Sequence, residues 1–252
     1  MSLKHLIFFL IFSLGWGTFV SFGLVKPSQV GRRYFIYHGL GVVGLLSAAW
    51  IVAGDVFVSH DATRWFCFFL GAVSIFSFTA GLYPWVAWPN YVLATLCGLS
   101  VILLNFGGRR YAGNMILSSL MLGFSMAAML LGHWYLVQPK LSIAELSRVC
   151  TVLILVIVVR FWVGTQGFYA LLSGKSEVEF YRYLFSQSPG LFVLMRWTWG
   201  LLAPLILCYL IWGTVKIRST QSATGILYVT VLTILTGETL SQYLMLYHGI
   251  VL

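Results

Sequence analysis

Roughly eight separate stretches of this chain are each long and apolar enough to cross a bilayer, and that pattern decides the fold class before any motif is considered. About 20 helical residues cross roughly 30 Å of hydrocarbon. Inside lipid every backbone N–H and C=O must be satisfied internally, so each stretch is either a helix or a strand of a closed barrel. The runs are too long and too continuous for the alternating strands of a barrel. The reading is an all-α polytopic integral membrane protein, a single transmembrane domain over 1–252. Its spans are expected at roughly 6–25, 34–54, 65–83, 91–106, 113–137, 143–172, 191–215 and 223–250. They use up nearly all of the 252 residues and leave no room for a sizeable soluble catalytic domain.

Composition fits this class, with 60% hydrophobic and only 8% charged residues. The net charge of +9 comes mostly from Lys and Arg between spans, where anionic lipid is the natural neighbour. It points to a lipid bilayer and to no nucleic-acid partner. Lys4 ahead of an apolar run imitates a signal peptide, but bulky Phe19, Val20 and Phe22 replace a small-residue cleavage pattern, so the first run reads as a retained helix. The four cysteines share no CxxC spacing and read as small apolar packing residues.

The breaks between spans have their own chemistry. Lys26-Pro27-Ser28-Gln29 ends the first, and Asp55 to Arg64 is a polar connection. Pro84 and Pro89 with Trp85 and Trp88 are expected to form a tight aromatic turn. Ser142 and Glu145 have capping-box spacing for the sixth span. Ser173 to Gly190 reads as the longest polar loop. The peptide Gly-Arg-Arg-Tyr recurs at 31–34 and 108–111, a match too short to carry an inverted repeat. With the N-terminal side called face A, face B collects Lys26, Arg32, Arg33, Lys140, Arg148, Lys216 and Arg218. Face A collects Lys4, Arg64, Arg109, Arg110, Lys175 and Arg182, which tips the positive-inside balance only narrowly towards B as cytoplasmic.

Two groups of polar residues fall within spans. Towards face A, Arg160, Arg196 and Glu238 lie at comparable depth in the last three spans, with Gln166, Thr236 and Gln242 expected nearby. A charge there costs several kcal/mol unless paired or wetted, so the three belong together, as a carboxylate that can accept or relay a proton or as an ion pair locking helices. Towards face B, His38 and His133 lie near one face on antiparallel spans, with Arg148 close to that level. Two such imidazoles suit one b-type haem as axial ligands, or contacts to a quinone carbonyl, or two separately partnered interfacial histidines. Paired histidines about thirteen residues apart on one helix, as a two-haem cytochrome needs, are absent from the sequence.

No Walker A, HExxH, nucleophile elbow or diphosphate-binding acidic motif occurs, which leaves ATP hydrolysis, zinc proteolysis and prenyl transfer without support. The last span carries Gly237-Glu238-Thr239-Leu240-Ser241-Gln242-Tyr243-Leu244, followed by Tyr247-His248-Gly249. This motif, with the helix number, resembles the late Gly-Glu helix of NrfD/PsrC/DmsC-type membrane anchor subunits, although Gln242 stands where that pattern has a basic residue. The resemblance implies an eight-helix subunit of a bacterial inner-membrane respiratory or redox complex. Such a subunit passes electrons between quinone and partner iron–sulfur or cytochrome proteins. Glu238 would then belong to the quinone or proton site, with Arg160 or Arg196 as its partner. The readings from other classes are a small transporter or channel lined by Arg160 and Glu238, and a structural or assembly subunit.

Overall fold

The computed structural model describes residues 3–53, 60–106, 108–138, 141–173, 176–186 and 188–252. Asp55, Lys140 and Lys175, placed above in polar connections, lie outside them. Among the described residues the chain is helical, without strands, and eight segments are long and apolar enough to cross a membrane. In order the helices are α1 (Leu3–Ser21, extended by a 3-10 turn Phe22–Leu24), a short α2 (Pro27–Val30), α3 (Arg32–Ala53), α4 (His60–Thr79), α5 (Pro84–Asn105), α6 (Arg109–Val137), α7 (Ala144–Leu172), α8 (Glu177–Ser186), α9 (Ser188–Trp197), α10 (Ala203–Lys216) and α11 (Thr220–His248). A π-helical turn, Thr198–Leu202, joins α9 to α10 and makes the two one span. The protein is a multi-pass membrane protein that contacts the lipid bilayer.

The helices pack in two groups. The first contains α1, α3, α4 and α5; the second contains α6, α7, α9–α10 and α11, and α1 packs on α6 and α11 to join them. The three joining helices are the most enclosed: 67% of the span window is buried in α1 and α6 and 50% in α11, against 33% in α3 and α5. Close approach is set by glycine. A Cβ on Gly17 would lie 1.7 Å from the Ser119 carbonyl oxygen, and one on Gly123 would lie 1.8 Å from the Gly17 carbonyl carbon. Backbone-to-backbone contact of this kind holds helices where no hydrophobic force drives association.

Several connections differ from expectation for clear reasons. The turn before α5 is Ala80–Tyr83, with Gly81 at φ 82°, a left-handed conformation that glycine adopts without strain. Pro84 sits at the helix start, where its missing N–H is harmless, and Pro89 lies within α5, so Trp85 and Trp88 are helical rather than in a turn. The fourth span therefore begins at Pro84 rather than 91, and the third runs Asp61–Thr79 rather than 65–83. The stretch read as a polar loop holds α8, which packs on α9. Its apolar residues Leu184 and Tyr183 face α9, while Tyr181 and Phe185 are exposed, a pattern that a count of charges does not detect.

The capping box before α7 is not formed either. Ile143 occupies the cap position without a side-chain bond, and Glu145 turns inward. Its Oε2 accepts the Lys26 backbone N–H at 3.0 Å and Arg148 Nη1 at 2.9 Å, while Arg148 Nη1 also donates to the Leu24 carbonyl at 2.8 Å. Proline at position 27 and the 3-10 turn leave the end of α1 with backbone groups in need of partners. Glu145 and Arg148 supply them from the next group of helices.

Candidate functional site

Arg160 on α7, Arg196 on α9 and Glu238 on α11 meet in one fully buried cluster. Arg160 grips the carboxylate with two nitrogens, Nε to Oε1 at 3.2 Å and Nη2 to Oε2 at 2.9 Å. Arg196 Nη2 donates to Oε1 at 2.7 Å, and the Ser118 hydroxyl on α6 donates to Oε2 at 2.7 Å. Each carboxylate oxygen therefore receives two donors, all from side chains on three other helices. Burying an ion this deep is tolerable only with such saturation.

How the sequence builds the cluster can be followed residue by residue. Pro204 cannot donate the N–H that would close an α-helical bond onto the Gly200 carbonyl. That carbonyl instead accepts Arg196 Nη1 at 3.2 Å, so the proline and the π-helical turn provide an anchor for the guanidinium. Inserted π turns recur at functional positions in helices. Gly200 and Gly237 then let the seventh span touch α11: a Cβ on Gly237 would lie 2.3 Å from the Gly200 Cα and 2.9 Å from Arg196 Nη1. The glycine before Glu238 is thus what admits Arg196 to the carboxylate.

A second layer surrounds the ions. Arg160 Nη1 donates to Asn114 Oδ1 at 2.5 Å, and Arg160 Nη2 also donates to the Ser241 hydroxyl at 2.9 Å. The Ser241 hydroxyl in turn donates to the Leu252 backbone oxygen at 3.1 Å. Gln242 Nε2 donates to Ser118 at 3.2 Å and to Ser13 on α1 at 3.3 Å. The glutamine therefore ties α11 to α6 and α1 without adding charge. Two buried nitrogen or oxygen atoms remain without partners here, Arg196 Nε and Gln242 Oε1.

Of the residues expected beside the ions, Gln242 is present. Thr236 is exposed and bonds the Leu232 carbonyl of its own helix, and Gln166 lies in a neighbouring cleft. The sequence reading missed Asn114, Ser118, Ser241 and Ser13. Helical spacing was the available signal: Asn114 with Ser118, and Glu238 with Ser241 and Gln242, each fall on one helix face.

The cleft lies between α6 and α7 at face A and has a volume of about 470 Å³. Arg109 and Arg110 stand at its mouth, Ile116, Leu117 and Val163 form apolar walls, and Asn114 connects it to Arg160.

The histidines are arranged differently. His38 is half-buried, its ring against Tyr34 at 4.4 Å and Trp134 at 6.1 Å between centroids, and its Nε2 has no partner. His133 is exposed, with Nδ1 3.5 Å from the Tyr228 hydroxyl. The free Nε2 of His38 suits an axial ligand or a quinone contact, whereas His133 is already engaged and open to the outside. This donor set fits one ligand better than two. Among the described residues there is no group of three or more His, Cys, Asp or Glu able to hold a metal ion.

No family model, curated protein or solved structure matches the chain.

Proposed function

We propose that this chain is an integral membrane subunit of a bacterial inner-membrane redox complex. It would interact with membrane quinone and pass electrons to or from partner iron–sulfur or cytochrome subunits. The observation that carries the reading is the enclosed cluster of two guanidiniums on one carboxylate, joined through Asn114 to an apolar-walled cleft. Ligand clefts of this kind pair apolar walls with a few placed polar groups, and about 470 Å³ is within the range for a headgroup. A bound quinone supplies two-electron chemistry coupled to protons. The chain's own part is to hold fixed positive charge where an oxygen gains electron density, which is most effective in a dry, preorganised site.

Glu238 is the proton-exchanging group in this proposal, with Arg160 and Arg196 as its holders. Both of its oxygens are saturated with donors, so proton uptake requires one donor to move away, and acid and arginines act as one unit. His38, and less so His133, would serve a second contact. The test is quinol-linked electron transfer in membranes containing Glu238→Gln with its partner subunits. A loss of about tenfold or more, equivalent to 1.4 kcal/mol in the barrier, is expected at unchanged protein level. Unaltered transfer would remove Glu238 from the reaction.

The complete enclosure of the ions favours one other reading, a purely structural lock between α7, α9 and α11. That reading predicts Glu238→Gln protein with a lowered unfolding midpoint and full activity.

A further inference from the structure

From the geometry we infer that the quinone headgroup enters sideways from the face-A leaflet, between α6 and α7, and is received by the side-chain amide of Asn114. This rests on the quinone reading above and adds its route and its first contact.

Asn114 is only 3% exposed, yet it lines the cleft. Its Oδ1 is held by Arg160 Nη1 at 2.5 Å, which fixes the amide orientation and leaves Nδ2 as the end to be used. Nδ2 faces the Met245 thioether at 3.2 Å, a weak acceptor that a carbonyl oxygen would outcompete. The hydrogen bond from Arg160 polarises the amide, and this strengthens its N–H as a donor in a medium of low dielectric. The recipient is thus an oxygen-headed amphiphile with an apolar body, and a quinone has both.

Space for it is built in. A Cβ on Gly113 would meet nothing within 4 Å, so the cleft is open beside Asn114, and Ile116, Leu117 and Val163 give the headgroup an apolar lining. Two other clefts among the described residues lack this junction with the ions. The one between α7 and α10, about 460 Å³, is lined by Thr151, Ile154, Leu155, Leu205, Cys208, Tyr209 and Trp212 and contains no residue bonded to the cluster. The one near Lys26 and Arg32, about 340 Å³, belongs to the first group of helices at face B.

The experiment is photolabelling of the purified full-length protein in lipid nanodiscs with an azido-substituted short-chain quinone, followed by peptide mapping. Label on the α6 and α7 peptides around Asn114 and Val163, displaced by unlabelled quinone, is the expected result. A Cβ at Gly113 enters open space, so Gly113→Leu is expected to keep the fold, checked by its unfolding midpoint, and to lower that labelling about tenfold, a 1.4 kcal/mol loss of binding. Asn114→Leu should lower it as well. Displaceable label on the His38 or His133 peptides instead would overturn this route and leave the quinone function standing. Displacement by anionic phospholipid as readily as by quinone would make the cleft a lipid site and overturn it too. If no displaceable label appears anywhere, the functional reading itself fails.

Discussion

Each end of the bundle holds a carboxylate against arginine, but the two pairs do different work. At face B, Glu145 and Arg148 are neighbours on one helix, Arg148 is 37% exposed, and both bind backbone groups at the end of α1. At face A, Glu238 receives no backbone donor, and its four bonds come from side chains on α6, α7 and α9. The first pair repairs a helix end. The second gathers two guanidiniums on a carboxylate held by side chains alone, and only Arg196 also serves a backbone group, the Gly200 carbonyl. A buried acid therefore signals function less by its burial than by what its partners are doing.

The largest effect should come from breaking this difference outright. Glu238→Leu leaves two guanidiniums buried and facing each other, a loss of about 3–5 kcal/mol. Glu145→Leu leaves the Lys26 backbone N–H unpaired, while the part-exposed Arg148 keeps the Leu24 carbonyl, a loss of about 1–3 kcal/mol. Unfolding midpoints of the two variants in one detergent should fall in that order, and equal midpoints would erase the distinction.

Within the face-A cluster the arginines are also unequal. Arg160 makes bonds to Glu238, Asn114 and Ser241, whereas Arg196 bonds Glu238 and the Gly200 carbonyl. Arg160→Leu should therefore lower the midpoint more than Arg196→Leu, and the reverse order would relocate the centre of the network. Gly237→Val attacks the approach rather than the charge. It places side-chain atoms against Gly200 and Arg196, with an expected destabilisation of about 1–3 kcal/mol and partial loss of quinol-linked activity. Smallest of all, His133→Ala at an exposed position should move stability within about 0.5 kcal/mol.

Much of this comparison was legible in the residues alone. The eight spans follow from apolar runs, and Arg160, Arg196 and Glu238 stand out because charge within lipid demands a partner. Asn114 and Ser118 did not stand out, because small polar residues are common in membrane helices and usually bond their own backbone, as Ser119 and Thr230 do here. Glu145 misled in the opposite direction. Its spacing from Ser142 matched a local cap, but the unsatisfied end of α1, far away in sequence, competed for the carboxylate and won. Helix α8 was hidden for a related reason: its charges suggested a loop, while the apolar side that packs on α9 is too short to register as a span. Contacts between distant segments are what local patterns leave out.

Quinone is proposed to bind at the charged cluster, with the histidines giving no more than a second contact. Bound quinone, extracted and quantified from the purified protein, tests this most directly when wild type is set beside Arg160→Gln, Asn114→Leu and His38→Ala, each checked for a single folded species. Quinone is expected in the wild type and in His38→Ala, with a marked loss in Arg160→Gln and Asn114→Leu. Retention in both cluster variants with loss in His38→Ala would contradict it.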